Sequence, residues 1–160
     1  MKCALITLSV VSAVVIAGAL LAMSQFRLSA LPEPGRMENY FASSARHFLV
    51  RRGSREAIPP APADLSASID EGDKLYGTDC AACHGLDGHK PTDAGRWMYP
   101  RAADLTSREV QHYSDRELFW IVKNGIRLSG MPAFGNVETD EHIWNLVNFV
   151  RTLPAASNLH

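Results

Sequence analysis

The stretch GTDCAACHGLDG, residues 77–88, contains two of the chain's three cysteines. Cys80 and Cys83 are separated by two residues, and His84 follows directly. The spacing Cys-x-x-Cys-His is the motif by which c-type haem is attached to a protein. Each thiol can form a thioether with a haem vinyl group, and an imidazole within one helical turn can reach the iron. The motif therefore predicts one covalent haem c, held through Cys80 and Cys83, with His84 as an iron ligand.

Three other uses of these residues fit the sequence less well. A structural zinc site needs a second pair of ligands at a distance, but the remaining cysteine, Cys3, lies in an apolar N-terminal run and we interpret it as incidental. A thioredoxin-like redox pair follows a strand, whereas this motif follows a helical pattern and precedes Gly85 and Gly88. A disulfide explains the two cysteines but gives the histidine no role. These comparisons favour haem.

The N-terminal segment is apolar, since no charged side chain occurs in residues 4–26. As a helix this run is about 35 Å long, enough to cross a hydrocarbon core of about 30 Å. Residues 17–19, Ala-Gly-Ala, fit a signal-peptide cleavage site, but the apolar run continues past them. A signal h-region spans only about 7–15 residues. We therefore predict a transmembrane anchor, or an uncleaved signal, at residues 1–26.

Residues 27–66 are predicted to be a linker between this anchor and a globular domain. Within it, apolar residues recur at helical spacing while arginines lie off that stripe. The apolar residues are Met37, Tyr40, Phe41, Phe48 and Leu49. The pattern is typical of a short amphipathic helix on a membrane or a partner subunit, and a solvated connector fits it equally well. The segment IPPAPAD, residues 58–64, is typical of a stiff extended spacer.

Helical signals dominate the remaining chain. A first helix is predicted to start at Ser66 or Ser68 and to run into the cysteine motif, and residues 85–100 are predicted to be loop. Ser114 and Glu117 form a capping-box pattern that opens a helix over 115–123. The glycine at 125 is a typical helix stop, and Thr139 is predicted to cap a last helix that ends before Pro154.

These signals predict an all-α fold. The domain has short helices and long loops wrapped around one covalent haem, and it follows the N-terminal transmembrane helix. Such a small domain buries little apolar surface alone, so the haem is expected to form much of its core. We place the domain at residues 67–154 and a short tail at 155–160.

The C-terminal half, about 90 residues, resembles a class I cytochrome c. The matching features are Gly72 and Tyr76 before the CAACH motif, YPRAADLT at 99–106, and NGIRLSGMPAF at 124–134. In that family the methionine of a Gly-Met-Pro loop approaches the iron opposite the histidine, so the resemblance implies Met131 as the sixth ligand. A thioether is a soft ligand suited to haem iron, and His/Met ligation raises the reduction potential.

The resemblance also implies further contacts around the haem. A ligating histidine usually donates its free ring N–H to a carbonyl, and the carbonyl of Pro100 is the expected acceptor, with Pro91 as the fallback. Arg101 and Trp97 are expected at the haem propionates, while an exposed Arg101 and a core Trp97 fit the sequence equally well. We interpret Met98 as a packing residue. Three histidines are not expected to be ligands: His89, His112 and His142.

Together these observations predict electron transfer by a membrane-anchored monohaem cytochrome c, as a carrier or a subunit of a respiratory or photosynthetic chain. Its partners are then the membrane, through the N-terminal helix, and redox proteins or a membrane electron-transfer complex. The alternative is a catalytic or gas-sensing haem protein, for example a peroxidase, but the Gly-Met-Pro loop argues against an open iron site. With a net charge of −1 and no catalytic residues beside the motif, we expect no nucleic acid and no small-molecule substrate. We expect an electron carrier without enzymatic activity of its own, which can serve as a subunit of an oxidoreductase complex.

The predicted location is the inner (cytoplasmic) membrane, crossed once. The balance of positive charges around the apolar run differs by about one residue and favours a cytoplasmic domain. In families with the CAACH motif, however, the thioethers form on the far side of the membrane. We therefore expect the haem domain on the periplasmic side.

Overall fold

The computed structural model of the chain describes residues 2–25, 29 and 31–153. In this part of the chain every regular element is helical, in agreement with the predicted all-α class. The α-helices are α1 Lys2–Gln25, α2 Arg36–Gly53, α3 Leu65–Asp79, α4 Ala81–His84, α5 Asp93–Arg96, α6 Arg108–Gln111, α7 Asp115–Asn124 and α8 Asp140–Thr152, with a 3-10 turn at Phe134–Asn136. The end of the predicted anchor at residue 26 and the predicted tail at 155–160 lie outside the described residues.

The chain divides into two compact units, residues 1–32 and 33–160. The first unit contains α1, whose described large apolar side chains are exposed, for example Ile6 at 64% and Leu21 at 66%. The sequence predicts that this segment spans a membrane. In the described part of the chain, no helix has both the length and the apolar character needed for a membrane crossing.

The second unit is built on the crossing of α3 and α8. Gly72 allows this close approach, because a Cβ at that position would lie 2.1 Å from the backbone oxygen of Asn145. The buried Ser68 hydroxyl donates a hydrogen bond to Asn145 Oδ1 at 2.6 Å. Tyr76 is 1% exposed, and its ring packs on Phe149 with centroids 5.1 Å apart. The crossing fixes the direction in which the end of α3 delivers the cysteine motif.

Most of the predicted helix boundaries are confirmed. Ser114 and Glu117 form a reciprocal capping box at the start of α7, and Gly125 follows the helix with φ of 65°. Thr139 caps α8 by accepting a hydrogen bond from the amide of residue 142. The start of α3 was predicted at Ser66 or Ser68 and is wrong by a few residues, because the Asp64 carboxylate is the side chain that caps the helix.

The predicted loop at 85–100 contains the one-turn helix α5. Thr92 starts this turn, since its hydroxyl accepts a hydrogen bond from the Gly95 amide at 3.3 Å. Gly95 packs against the cysteine motif, because a Cβ on it would lie 2.2 Å from the Cys83 oxygen. A single turn with glycine and two charged residues has no apolar period, which explains why the sequence pattern does not reveal it.

Most of the predicted linker at 27–66 is packed, because residues from 33 onward belong to the same compact unit as the predicted domain at 67–154. Val50 of α2 is 2% exposed within the core cluster. The proline-rich segment is also held, because the indole N–H of Trp144 donates to the Pro59 oxygen at 2.9 Å. The apolar stripe predicted on α2 remains exposed, at 57–74% for Met37, Tyr40, Phe41, Phe48 and Leu49. The helix therefore packs through the opposite face.

Candidate haem site

The cysteine motif lies at the end of α3 and in the single turn α4. The backbone continues helically across the junction, since the Cys80 amide donates to Tyr76 and the His84 amide donates to the Cys80 oxygen at 2.9 Å. The Tyr76 hydroxyl donates to the Gly85 oxygen at 2.7 Å and fixes the end of the motif. Burial raises the pKa of the Cys80 thiol to about 12. One short helical turn thus brings both thiols and the imidazole together, as predicted.

The His84 ring is oriented by the Ala103 carbonyl, at 2.8 Å from Nδ1. The predicted acceptor, Pro100, and the fallback, Pro91, are therefore both wrong. Because a carbonyl only accepts hydrogen bonds, Nδ1 carries the proton and Nε2 keeps its lone pair for a metal. Burial lowers the pKa of His84, and the hydrogen bond to Ala103 acts in the opposite direction. Sequence spacing does not show which carbonyl of the 99–106 loop turns inward.

A crevice beside the motif consists of two neighbouring cavities of about 500 Å³ and about 180 Å³. His84 and Met131 line both cavities, and so does Cys80, while Cys83 lines the smaller one. Apolar side chains of α7 and α8 form the wall of the larger cavity: Leu118, Ile121, Val122, Leu146, Val147 and Val150. The structure thus brings the four predicted attachment and ligand residues to one apolar crevice.

The loop that carries Met131 is held by local hydrogen bonds. The Met131 amide donates to the Ser129 hydroxyl at 3.2 Å, and the Met131 oxygen accepts from the Ile126 amide at 3.3 Å. Gly125 begins the loop in the left-handed region, and a Cβ there would lie 2.7 Å from the Pro132 backbone. The Gly-Met-Pro segment therefore folds back on Gly125 and Ile126, just beyond the end of α7, and Met131 lies at the crevice.

The other predicted contact residues divide into two groups. Pro100 and Arg101 line both cavities, and Arg101 forms an ion pair with Glu33 at 2.9 Å. Trp97 is 79% exposed and lines neither cavity, so a core position is wrong, while its propionate contact stays a prediction. Met98 lines the smaller cavity beside the Met131 loop, where a Cβ on Gly130 would lie 2.3 Å from its sulfur. Neither cavity is lined by His89, His112 or His142.

Among the residues of the crevice that sequence reasoning missed, two carry polar groups able to bind an anion. Arg46, on α2, lines both cavities, and Tyr113 lines the larger one. Tyr113 is 6% exposed, and its buried hydroxyl has no hydrogen-bond partner in the described part of the chain. The one sequence feature that could have indicated a role for Arg46 at the crevice is its position off the apolar stripe of α2.

The residues of the crevice fit haem c. Two thiols at the correct spacing, an imidazole with a free Nε2 and a thioether form a donor set suited to haem iron. The apolar walls suit the porphyrin faces, and two arginines with one unpaired buried hydroxyl suit its carboxylates.

Comparison with known proteins agrees with this geometry. Residues 67–150 match the family described as "Cytochrome C oxidase, cbb3-type, subunit III". The chain is 30% identical to cytochrome c6 of Thermosynechococcus vestitus over an alignment of 89 residues. This alignment covers 56% of this chain and 73% of the relative.

Two solved structures are also similar to this chain. A c-type cytochrome, KustC0563, is 33% identical with a TM-score of 0.46, covering 52% of this chain and 96% of its own. A chain of the reducing HAO-like protein complex of Kuenenia stuttgartiensis has a TM-score of 0.51 at 20% identity, covering 62% of this chain and 53% of its own, and shares the fold. From its family match, its relatives and its CAACH motif, the chain belongs to the cytochrome c family, as a class I monohaem cytochrome that carries covalent haem c on Cys80 and Cys83 and transfers electrons.

Proposed function

We propose that this cytochrome is an electron carrier in which His84 and Met131 would hold the haem iron, and that it passes single electrons between redox proteins. The observation that carries the proposal is that the imidazole and the thioether line the same crevice as the two cysteines. An iron held by both side chains would have no open position for a substrate. This arrangement favours electron transfer over peroxidase or gas-sensing chemistry.

The chain's own residues support this role in three ways. The Ala103 carbonyl holds the His84 ring with Nε2 free. The Met131 thioether favours ferrous iron, because a soft donor stabilises the reduced metal. The apolar walls from α7 and α8 exclude water, which disfavours the extra positive charge of the oxidised state. When bound, haem c supplies an iron that cycles between ferric and ferrous.

The proposal is tested on the purified full-length protein with its haem attached. We expect a low-spin spectrum, a reversible one-electron redox titration, and no carbon monoxide binding by the reduced protein on the timescale of mixing. Rapid, tight carbon monoxide binding by the unaltered protein would contradict the carrier role and favour a gas-binding or catalytic one.

We further propose that the N-terminal segment attaches the protein to the inner membrane and that the haem domain lies in the periplasm, within a respiratory or photosynthetic chain. Support comes from the uncharged run at residues 4–26 and from the chemistry of thioether formation. The protein is then expected to sediment with membranes after a high-salt wash. A soluble mature protein whose first residue is Leu20 would contradict this attachment.

A further inference from the structure

Helix α2 precedes residues 67–150, the part of the chain that matches the family. It nevertheless contributes to the haem crevice. Arg46 lines both cavities, and Asn39 lines the larger one. The haem environment of this protein therefore extends beyond the segment that defines the family.

Packing holds α2 against the haem domain. Val50 is buried in the core at 2% exposure, and the His47 ring stacks on Tyr113 with centroids 4.6 Å apart. The Arg116 guanidinium donates to the backbone oxygens of Ser54 at 3.0 Å and of residue 56 at 2.9 Å, just beyond the helix. These contacts fix the position from which the Arg46 side chain reaches the crevice.

Tyr113 meets Arg46 in the larger cavity. Its hydroxyl is buried without a hydrogen-bond partner in the described residues. Burial raises the pKa of Tyr113, and the nearby Arg46 guanidinium acts in the opposite direction. Buried hydroxyls in native proteins are almost always paired, so this one indicates a missing acceptor.

The groups around that acceptor define its chemistry. Arg46 forms an ion pair with Glu109, and a guanidinium has five N–H donors, so further donors remain for another anion. Tyr113 and Glu109 line only the larger cavity, whereas Cys83 lines only the smaller one. Tyr113 therefore lies away from the Cys83 end of the crevice, while Arg46 borders both cavities. On a haem, the propionates lie on the edge opposite the vinyl groups.

We propose that Arg46 and Tyr113 together bind a haem propionate, so that a helix outside the family segment completes the cofactor site. The guanidinium supplies a charge-assisted hydrogen bond, and the tyrosine hydroxyl supplies a second donor. The positive charge of Arg46 also stabilises the reduced haem, because the oxidised iron carries one more positive charge. The proposal rests on the covalent haem shown by the family match, not on the carrier role or on membrane attachment.

The test compares full-length holoprotein variants by redox titration against a fixed mediator and by the resonance Raman bending mode of the propionates. We expect Arg46→Gln to lower the equilibrium constant for haem reduction by about three- to tenfold and to shift the propionate mode. Tyr113→Phe should shift the mode without changing any charge. Arg52→Gln is the matched control, because Arg52 is an exposed arginine of the same helix that lines neither cavity.

Two further variants exclude indirect effects. Arg46→Lys keeps the positive charge, so we expect its equilibrium constant for haem reduction to lie within about twofold of that of the unaltered protein. This variant also keeps the test decisive if Arg46→Gln loses haem. In a Glu109→Gln background the effect of Arg46→Gln should persist. If it vanishes there, or if Arg46→Gln behaves like Arg52→Gln in both measurements, the proposal is overturned. Carbon monoxide binding by the unaltered protein tests the carrier role separately.

Discussion

At the scale of single residues, two thioethers line the crevice, and each has the chemistry of an iron ligand. Met131 lines both cavities, while Met98 lines the smaller one and packs on Gly130 of the same loop. The structure favours Met131, because its loop is closed by the near approach of Gly125 to Pro132 and by the hydrogen bond from Ile126 to Met131. Met98 instead follows the exposed Trp97.

We therefore predict that Met131→Ala opens the iron. The reduced variant should bind carbon monoxide, and its reduction potential should fall because the soft ligand is lost. Met98→Ala is the matched control and should keep the low-spin spectrum and the potential, since it removes only packing. Absorption spectra with and without carbon monoxide decide the matter, and the reverse result would identify Met98 as the ligand.

The same scale shows how much of the site could be read from the sequence. Cys80, Cys83 and His84 were predictable because their function requires a fixed local spacing. The Ala103 acceptor was not predictable, because the conformation of a loop determines which backbone oxygen faces the His84 ring. The position of Arg46 was not predictable either, because it depends on packing between α2 and the haem domain.

At the scale of helices, the close crossing of α3 and α8 depends on Gly72. A methyl group there would overlap the backbone of Asn145, which cannot move aside as a flexible side chain can. We predict that Gly72→Ala destabilises the protein by about 1–3 kcal/mol or more. Gly77 lies in the same helix, and a Cβ added there would have no atom within 4 Å. Gly77→Ala should therefore stabilise the protein by about 0.5–1 kcal/mol. Thermal or denaturant unfolding of both holoproteins measures the difference, and equal stabilities would rule out such close packing.

Helix ends were more predictable than helix faces. The capping box of Ser114 and Glu117 is a local pattern, and so is the cap at Thr139, because each side chain bonds a backbone amide three residues away. The sequence pattern did not predict the face through which α2 packs. Its apolar stripe is exposed, and the packed face carries Arg46, His47 and only one large aliphatic residue, Val50. A face held by ion pairs and ring stacking has no hydrophobic period to read.

At the scale of the whole molecule, charge is distributed unevenly along the chain. Residues 1–63 carry seven Lys/Arg and three Asp/Glu, whereas residues 64–160 carry nine and 14. Part of this asymmetry is used within the 33–160 unit, where Arg46 of α2 pairs with Glu109 and Arg51 of α2 pairs with Glu117. Exposed pairs of this kind contribute about 0–1 kcal/mol each, so they orient α2 more than they stabilise it. The remaining net charge is available to a redox partner.

Membrane attachment would change how strongly that charge matters. An attached cytochrome meets a membrane-bound partner at an effective concentration of about millimolar, so electrostatic steering adds little to the encounter rate. A variant lacking residues 1–32 keeps α2 and the complete haem crevice, since the second compact unit begins at residue 33. That variant must find its partner by diffusion, where surface charges act over a Debye length of about 8 Å at physiological salt.

We therefore predict that electron transfer by the full-length protein in its native membrane depends only mildly on ionic strength. The variant lacking residues 1–32 should be slower with the same membranes, and its rate should change more steeply across a salt series. Both proteins should show the same haem spectrum and potential, which excludes damage to the site as the cause. Equal rates and equal salt slopes would mean that residues 1–32 do not confine the cytochrome, and that it reaches its partner by diffusion.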